Sequence, residues 1–387
     1  MSLGIGLISG TSADGIDAAL VDISESRGKV RIKLRSFATY PYSKPIRKRI
    51  LEVSTPKGGS TEEICLLNFE IGGLFADAVK KICRKAHLTL RKIDFIGSHG
   101  QTIGHFGERG TLQIGEPSII AERTGVTTVA DFRPRDIAAG GEGAPLAPYL
   151  HYLLFSDPKR NRVVNNIGGI SNLTFLPKRG RIEKVLGFDT GPGNMVIDGI
   201  VEILSKGKRH YDQDGRIASR GFVSLKLLQN LLRHPFIRKR PPKSAGREEF
   251  GKIFVKDFLM RGRALRLRDE DLIATATAFT AASIAENYRR FIFPRAIPDE
   301  IIFCGGGVHN KTLMRMIRME LRGVKTSTYE EHGVKIPSDA AEAVLFAVLG
   351  FKALKGEPTN IPSVTGASRP VVLGKIIPGK KVSHVSY

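Results

Sequence analysis

The segment GFDTGPGN (residues 187–194) is the best candidate for proton-transfer chemistry. An apolar strand is predicted to end at Asp189, and glycines then lead into a predicted helix. Ligands of α/β proteins bind at the carboxyl ends of strands, so a carboxylate placed there can accept a proton. A turn or helix-capping aspartate is the structural alternative. Because Asn194 can cap the helix itself, we favour a catalytic base at Asp189.

Two turns between predicted strands have the composition of phosphate-binding loops. The first lacks the spacing of the helix-capped P-loop, and a plain tight turn is its alternative. Glycines allow close backbone approach, and hydroxyl and amide groups hydrogen-bond anions. Two such turns in corresponding positions predict a clamp for a triphosphate. The first comprises Gly10, Thr11, Ser12, Ala13, Asp14, Gly15, Ile16 and Asp17, and the second contains Gly168 and Gly169.

A third glycine run, CGGGVHN (304–310), lies between a predicted strand and a predicted helix. Gly305, Gly306 and Gly307 would let a flat ligand such as a nucleoside lie against the backbone. A merely flexible connection is the alternative. Cys304 closes an apolar strand, so we predict a core residue rather than a reactive thiol.

Three further polar residues have both a functional and a structural interpretation. His99, in SHGQT (98–102), hydrogen-bonds a sugar or serves as a structural histidine. Arg133, in DFRPRD (131–136), grips a carboxylate in fork geometry or lies in a solvated loop. Glu342 follows Asp339 on a predicted helix rich in Ala and Phe, a position that by itself indicates little.

Hydrophobic periodicity predicts the elements that carry these residues. A unit of three strands, a helix and a strand occurs twice, and we expect two α/β lobes with a cleft between them. The second copy contains an insertion at about 205–265. The first copy has strands at 3–8, 17–23, 30–37 and 93–98 and a helix at 61–85. The second has strands at 162–168, 171–177, 185–189 and 301–306 and helices at 194–204, 270–291 and 309–321.

Composition excludes several classes of protein. The 387 residues are 41% hydrophobic and 25% charged, which excludes a disordered chain and allows two domains. No run of 18 apolar residues predicts a membrane-spanning helix. The apolar start lacks a basic flank, so we expect no secretory signal and a cytoplasmic protein. The three cysteines have no metal-ligand spacing and predict no disulfide framework.

The charge is strongly basic. There are 60 Lys and Arg against 38 Asp and Glu, a net charge of +22, and residues 205–268 hold 18 basic against 5 acidic residues. A nucleic-acid surface is one interpretation. A basic surface around an anionic substrate, or lineage bias, is the other. The stretch contains no recognisable docking motif, so we favour the second interpretation and predict no nucleic-acid partner.

Nine segments together resemble the anhydro-N-acetylmuramic acid kinase family, in the family's order from residue 5 to about residue 375. They are GTSADGID, SHGQTIGH, DFRPRDIAAGGEGAPLAP, NIGGISNLT, GFDTGPGNM, PPKSAGREEFG, CGGGVHN, EAVLFAVLG and IPSVTGA. The family belongs to the actin, hexokinase and sugar-kinase superfamily. The resemblance therefore implies a duplicated, two-lobed, ribonuclease H-like α/β fold with an ATP cleft between the lobes. We assign residues 1–135 and 345–387 to the first lobe and 136–344 to the second.

The resemblance also implies a dual reaction. Water opens the 1,6-anhydro bridge of anhydro-N-acetylmuramic acid, and O6 takes the γ-phosphoryl group of ATP in the presence of Mg²⁺. The product is N-acetylmuramic acid 6-phosphate, in peptidoglycan recycling. A homodimer without membrane partners is the family expectation. An ordinary sugar or acetate kinase of the same superfamily, without ring opening, is the alternative.

Roles follow from the resemblance for each matching residue. Asp189 is the base, and Asp14 holds the metal through water. Arg133 binds the lactyl carboxylate of the sugar, with Glu342 and His99 nearby. Ala13 replaces a residue that is often larger in the family, and the pI near 10.0 is high for it. The phosphates face residues 10–17 with Gly168 and Gly169, and the nucleoside is flanked by Gly305, Gly306, Gly307 and Asn310.

Overall fold

The computed structural model describes residues 1–10, 12–55 and 58–380. The chain divides into two compact units, residues 1–153 with 335–387 and residues 154–334. Segments 136–153 and 335–344, which the sequence suggested for the second lobe, thus belong to the first unit. Asp136 accounts for part of this difference, because its fully buried carboxylate accepts hydrogen bonds from Asn360 and Thr365, each at 2.8 Å.

Helices and strands are as follows in chain order. Up to residue 155 they are β1 (Ser2–Ser9), β2 (Gly15–Ser26), β3 (Lys29–Pro41), α1 (Lys44–Val53), α2 (Thr61–Lys85), β4 (Phe95–His105), β5 (Thr111–Ile114), α3 (Pro117–Thr124), β6 (Thr128–Ala130), α4 (Phe132–Ala138) and α5 (Ala147–Phe155). Then come β7 (Arg162–Ile167), β8 (Ile170–Leu176), β9 (Leu186–Pro192), α6 (Asn194–Leu204), α7 (Leu225–Leu231), α8 (Pro235–Arg238), α9 (Arg247–Phe250), α10 (Lys252–Ala264), α11 (Asp269–Asn287), β10 (Glu300–Cys304), α12 (Lys311–Glu320) and β11 (Lys325–Thr328). The last are α13 (Ala341–Leu354), α14 (Pro362–Thr365) and β12 (Lys375–Ile377).

The two units have sheets of the same design. The first sheet has the order β12-β6-β4-β1-β2-β3, with β5 paired to β4. The second has the order β11-β10-β7-β8-β9. In both, the first three strands are antiparallel neighbours, and the later central strands run parallel to the first. The predicted duplication is confirmed, and the shared strand order is that of the ribonuclease H-like α/β fold.

Local sequence signals explain the best-predicted helices. At α2, the hydroxyl of Ser60 accepts a hydrogen bond from the Glu63 amide at 3.1 Å, and acidic side chains occupy the first turn. This arrangement satisfies amides that a helix start leaves unpaired and complements its dipole. Helices 61–85 and 194–204 have the predicted bounds. Among the described helices, none has both the length and the apolar composition that crossing a bilayer requires.

Two predictions around Asp189 are wrong. β9 continues past Asp189 to Pro192. Asn194 is the first residue of α6 and does not cap it, since Gly193 occupies the N-cap position without a capping side chain. The carbonyls of a neighbouring turn satisfy the first amides of this helix instead, as described below.

Glycines allow α13 to lie directly on the first sheet. Gly6 of β1 pairs with Gly97 of β4 in register. A Cβ on Gly6 would lie 1.7 Å from the Ala343 carbonyl oxygen, and one on Gly97 would lie 2.0 Å from that of Phe346. The helix that carries Glu342 is therefore held at a distance that only glycine permits.

The basic insertion forms a helical layer with its own core. Helices α7 to α10 and part of α11 pack around buried aromatic residues, among them Phe236, Phe250 and Phe258. The lysines and arginines lie mostly on its outer surface, and Lys243, which is 4% exposed, is an exception that bears on the site.

Candidate active site

The first glycine turn is fixed from within the first unit. The Ala13 amide donates to the Gly10 carbonyl at 3.1 Å, and Ala13 has φ of +50°. The side-chain amide of Gln101 donates to the same carbonyl at 3.2 Å, which ties the turn to β4. Arg47, which sequence analysis did not identify, donates to the Ser12 carbonyl at 3.3 Å.

Only part of this turn offers side chains to a ligand. Ser12 and Asp14 are exposed, and the hydroxyl of Ser12 donates to the carboxylate of Asp14 at 2.9 Å. Ala13 and Ile16 are buried, and a Cβ on Gly15 would lie 2.6 Å from the Tyr40 carbonyl oxygen. Those three can contribute to phosphate binding through the backbone alone. Thr11 lies outside the described residues.

Two acidic side chains near this turn, Asp17 and Glu342, have raised pKa values. Burial raises the pKa of Asp17, against a hydrogen bond that its carboxylate accepts from Thr39 at 2.5 Å, and nearby Asp14 and Asp339 raise it further. The pKa of Glu342 is also raised, first because surrounding protein displaces water and then by Asp17. The guanidinium of Arg133 opposes this rise.

Arg133 is held from two sides. Its Nε donates to Nε2 of His99 at 3.0 Å, and its Nη1 donates to the Gly143 carbonyl at 2.8 Å. The Gly143 amide in turn donates to the carboxylate of Asp136 at 2.8 Å. Asp136 is fully buried, so the solvated-loop interpretation of DFRPRD is wrong at that residue. The helix α4 and the segment after it form an oriented support for one guanidinium.

His99 is buried, and both of its ring nitrogens have protein partners. Nε2 receives the Arg133 hydrogen bond, and Nδ1 lies 3.1 Å from the Gly100 carbonyl. Its ring packs against Phe346, with centroids 4.5 Å apart. Both ring nitrogens of His99 are thus engaged by the protein in this arrangement, and a sugar contact of this residue stays a prediction.

In the second unit, the Gly168–Gly169 turn is joined to the start of α6. The Gly169 carbonyl accepts from the amides of Gly193 and Met195 at 2.9 and 3.0 Å, and the Gly168 carbonyl accepts from Asn194 at 2.7 Å. These carbonyls satisfy helix-terminal amides that would otherwise be free to bind an anion. The Gly168 amide is used within the turn, where it donates to Ile170 at 3.1 Å.

The three glycines after β10 differ in their surroundings. A Cβ on Gly305 would lie 2.2 Å from Oδ1 of Asn166, and one on Gly307 would lie 2.3 Å from Cγ2 of Ile167. Gly306 is open, since the nearest atom to its Cβ would be Nδ2 of Asn194 at 3.8 Å. Gly306 is therefore the glycine whose missing side chain leaves space for a flat ligand, whereas the other two permit packing on β7.

Two other residues of this loop are structural in the present arrangement. Asn310 caps α12, and its side-chain oxygen accepts from the Leu313 amide at 2.9 Å. Cys304 is buried, as predicted. Asn310 can thus shape the proposed nucleoside site by ending the glycine loop.

Asp189 is partly buried in β9 and is clamped by the segment that precedes α9. Its carboxylate accepts from the Ala245 amide at 2.8 Å and from the Ser244 hydroxyl at 3.4 Å, both through Oδ2. Its own amide donates to the Lys243 carbonyl at 3.1 Å. These hydrogen bonds hold the Asp189 carboxylate in a defined orientation.

Lys243 is a residue of this site that sequence analysis missed. It stands in PPKSAGREEFG, which was used only as a family motif. Burial lowers the pKa of its ammonium group to about 8, while the nearby Asp189 opposes the change. A lysine between prolines and small residues inside a basic stretch gives no sign of burial, so periodicity could not identify it.

Comparisons with known proteins identify a family that this chain matches over nearly its whole length. The sequence model of the anhydro-N-acetylmuramic acid kinase family matches residues 2–379. A relative of that name from Caldanaerobacter subterraneus subsp. tengcongensis is 49% identical over 381 residues, covering 96% of each chain. Another from Clostridioides difficile is 44% identical over 380 residues, covering 97% of this chain and 98% of the relative. The (R)-2-hydroxyglutaryl-CoA dehydratase component A of Acidaminococcus fermentans is 11% identical, covering 91% of this chain and 98% of its own, with a TM-score of 0.47.

The matched region contains all the candidate residues described above. It spans nearly the whole chain, and the relatives are covered over nearly their whole length as well. This chain is therefore a member of the anhydro-N-acetylmuramic acid kinase family.

Proposed function

We propose that this kinase hydrolyses the 1,6-anhydro bridge of anhydro-N-acetylmuramic acid and transfers the γ-phosphoryl group of ATP to O6. The product is N-acetylmuramic acid 6-phosphate, an intermediate of peptidoglycan recycling. The observation that carries the proposal is the fixed carboxylate of Asp189, held through Oδ2 by the Ala245 amide at 2.8 Å.

The proposed reaction proceeds by concerted bond changes. Water attacks C1 from the face opposite the bridge, and its proton passes to the Asp189 carboxylate. The C1–O6 bond breaks, and its electron pair goes to O6. O6 then bonds to the γ-phosphorus of ATP as the bond to the bridging oxygen breaks and ADP leaves.

Arg133 is proposed to bind the lactyl carboxylate. Its Nε and Nη1 are already used by His99 and Gly143, which fixes the plane of the guanidinium. The remaining Nη2 carries two further donors, so a carboxylate can pair with it in a set direction. Glu342 is proposed to contact a sugar hydroxyl.

Phosphate binding is proposed for residues 10–17 and for the Gly168–Gly169 turn, and nucleoside binding for Gly306 with its neighbours. The described residues contain no group of three or more His, Cys, Asp or Glu side chains that could hold a metal ion unaided. This fits Mg²⁺, which keeps several waters and takes one or two carboxylates plus phosphate oxygens. The exposed carboxylate of Asp14 would hold it through water, and the ion would offset charge on the transferring phosphoryl group.

The experiment that tests the proposal is a coupled ADP-release assay with 1,6-anhydro-N-acetylmuramic acid and a panel of sugars that carry free hydroxyls. ADP release with the bicyclic sugar, without release for the plain sugars, is expected. Release only with the plain sugars would favour an ordinary sugar kinase of the same superfamily. A cytoplasmic homodimer stays a prediction.

A further inference from the structure

Lys243 lies buried in the second unit, with its ammonium group surrounded by protein. It is 4% exposed. Nζ donates to the carbonyls of Phe236 at 3.0 Å and Ile237 at 3.4 Å. Removing an ammonium group from water is costly unless the new surroundings compensate it, so this environment has to supply stabilisation of its own.

Three aromatic rings supply part of that compensation. Nζ lies 4.8 Å from the ring centroid of Phe236, 5.1 Å from that of Phe291 and 5.8 Å from that of Phe188. Cations are attracted to ring faces within about 6 Å. Carbonyls and rings together form a cage that accepts a cation and contains no carboxylate in direct contact with Nζ among the described residues.

The caged lysine is continuous with the clamp on Asp189. The Lys243 carbonyl accepts from the Asp189 amide at 3.1 Å, and the next two residues, Ser244 and Ala245, hydrogen-bond the Asp189 carboxylate. Phe188, which precedes Asp189 in β9, is also one wall of the cage. The cage is therefore connected to Asp189 in two ways: Phe188 precedes it in β9, and segment 243–245 is hydrogen-bonded to it.

The geometry points to Lys243 as a positioning residue for Asp189: its caged positive charge anchors segment 243–245 against β9 and keeps the carboxylate oriented. This inference rests on the proposed role of Asp189 as base. Among the described side chains, the charged groups that act on Lys243 are Asp189, which favours its protonated form, and Lys239 and Arg290, which disfavour it.

The anchoring charge has a defined pH range. Burial lowers the pKa of Lys243 to about 8, so the charge is present below that pH and is lost above it. Wild-type activity should accordingly decline above about pH 8. A variant that never carries the charge should not show that decline.

The test compares Lys243→Met with Lys252→Met in the full chain. Methionine keeps the length and the apolar contacts of the lysine stem and removes the charge, and Lys252 is an exposed lysine of the same insertion that serves as the control. For Lys243→Met we expect kcat to fall about tenfold or more at pH 7, because the base is no longer held in place. The KM for ATP should stay within about twofold.

The pH profile separates positioning from mere folding. The deficit in kcat of Lys243→Met relative to the wild type should shrink above pH 8, where the wild type loses the same charge. Phe291→Leu removes one ring of the cage without touching Asp189, and it should move the basic limb to lower pH.

Asp189→Asn is measured in parallel. If it is inactive while Lys243→Met and Phe291→Leu keep wild-type kcat and wild-type pH limbs, the positioning role is refuted and the base is not. If Asp189→Asn keeps wild-type activity, the proposed base itself is wrong, and the inference falls with it.

Discussion

Arg133 donates a hydrogen bond from Nε to Nε2 of His99 at 3.0 Å, which assigns a single tautomer to the histidine. Because Nε2 accepts, the ring proton is on Nδ1, which lies 3.1 Å from the Gly100 carbonyl. Burial and the adjacent guanidinium hold the pKa of His99 well below its ordinary value. A neutral histidine can therefore orient the arginine proposed to bind the sugar.

His99→Ala should weaken sugar binding while ATP binding is retained. The substitution leaves Nε of Arg133 without its partner, so the guanidinium loses one of the two hydrogen bonds that fix its plane. We expect the KM for the anhydro sugar to rise about tenfold and that for ATP to stay within about twofold, as measured by steady-state kinetics. Equal increases in the two constants would contradict the positioning role.

Gly306→Ala and Gly305→Ala should have different effects, because Gly306 faces open space and Gly305 is packed against β7. A Cβ at Gly306 has no neighbour closer than 3.8 Å, so the variant should keep wild-type stability and show a raised KM for ATP. A Cβ at Gly305 would lie 2.2 Å from Asn166, at a φ of +82°, so that variant should lose about 1–3 kcal/mol of unfolding free energy. Urea unfolding measures the stability of both variants, and steady-state kinetics measure their KM for ATP. A wild-type KM for ATP in Gly306→Ala would contradict the proposed nucleoside site.

Gly6→Ala should disturb the first unit through α13. The added Cβ would lie 1.7 Å from the Ala343 carbonyl, so the helix carrying Glu342 must move away from β1. We expect a loss of about 2 kcal/mol or more in unfolding free energy, measured by urea titration, together with weaker sugar binding. Gly28→Asn is the control, because its φ of +72° suits asparagine and nothing lies within 4 Å. Equal stability of the two variants would refute the close packing of α13.

Asp198→Asn should stabilise the protein in a pH-dependent way. Burial, with nearby Asp212, raises the pKa of Asp198 from 3.8 to about 7. Between these two values the folded chain holds a proton that the unfolded chain releases, so the stability present at low pH is lost as the pH rises. Asparagine stays neutral, and its advantage over wild type in unfolding free energy should be larger at pH 8 than at pH 5. An equal difference at both pH values would contradict the raised pKa.

Sequence reasoning predicted the framework because its signals are local. The capped start at Ser60 and the spacing of buried apolar residues after it define α2 without tertiary information. The repeated unit of three strands, a helix and a strand was predicted and occurs in both units, whereas the strand order of the two sheets was not predicted. The end of β9 was missed because Gly191 and Pro192 are typical turn residues, and here tertiary pairing with β8 overrides that preference.

The missed parts of the site depend on contacts between distant segments. The lysine cage joins Lys243 to Phe188 and Phe291. The burial of Asp136 depends on Asn360 and Thr365, more than 220 positions later in the sequence. Neither residue spacing nor composition predicts such tertiary contacts. The family motifs identified the segments that contain the candidate site residues. The hydrogen-bond partners of Arg133, His99 and Gly143, became known only from the fold.

Reaction in ¹⁸O-labelled water tests the central claim most directly, with wild type and Asp189→Asn compared by mass spectrometry of the product quenched before anomeric exchange. The account predicts one labelled oxygen at C1 for each ADP released by the wild type, none in the phosphoryl group, and neither product nor ADP from Asp189→Asn. Labelled product formed by Asp189→Asn at the wild-type rate, or ADP released without label at C1, would contradict it.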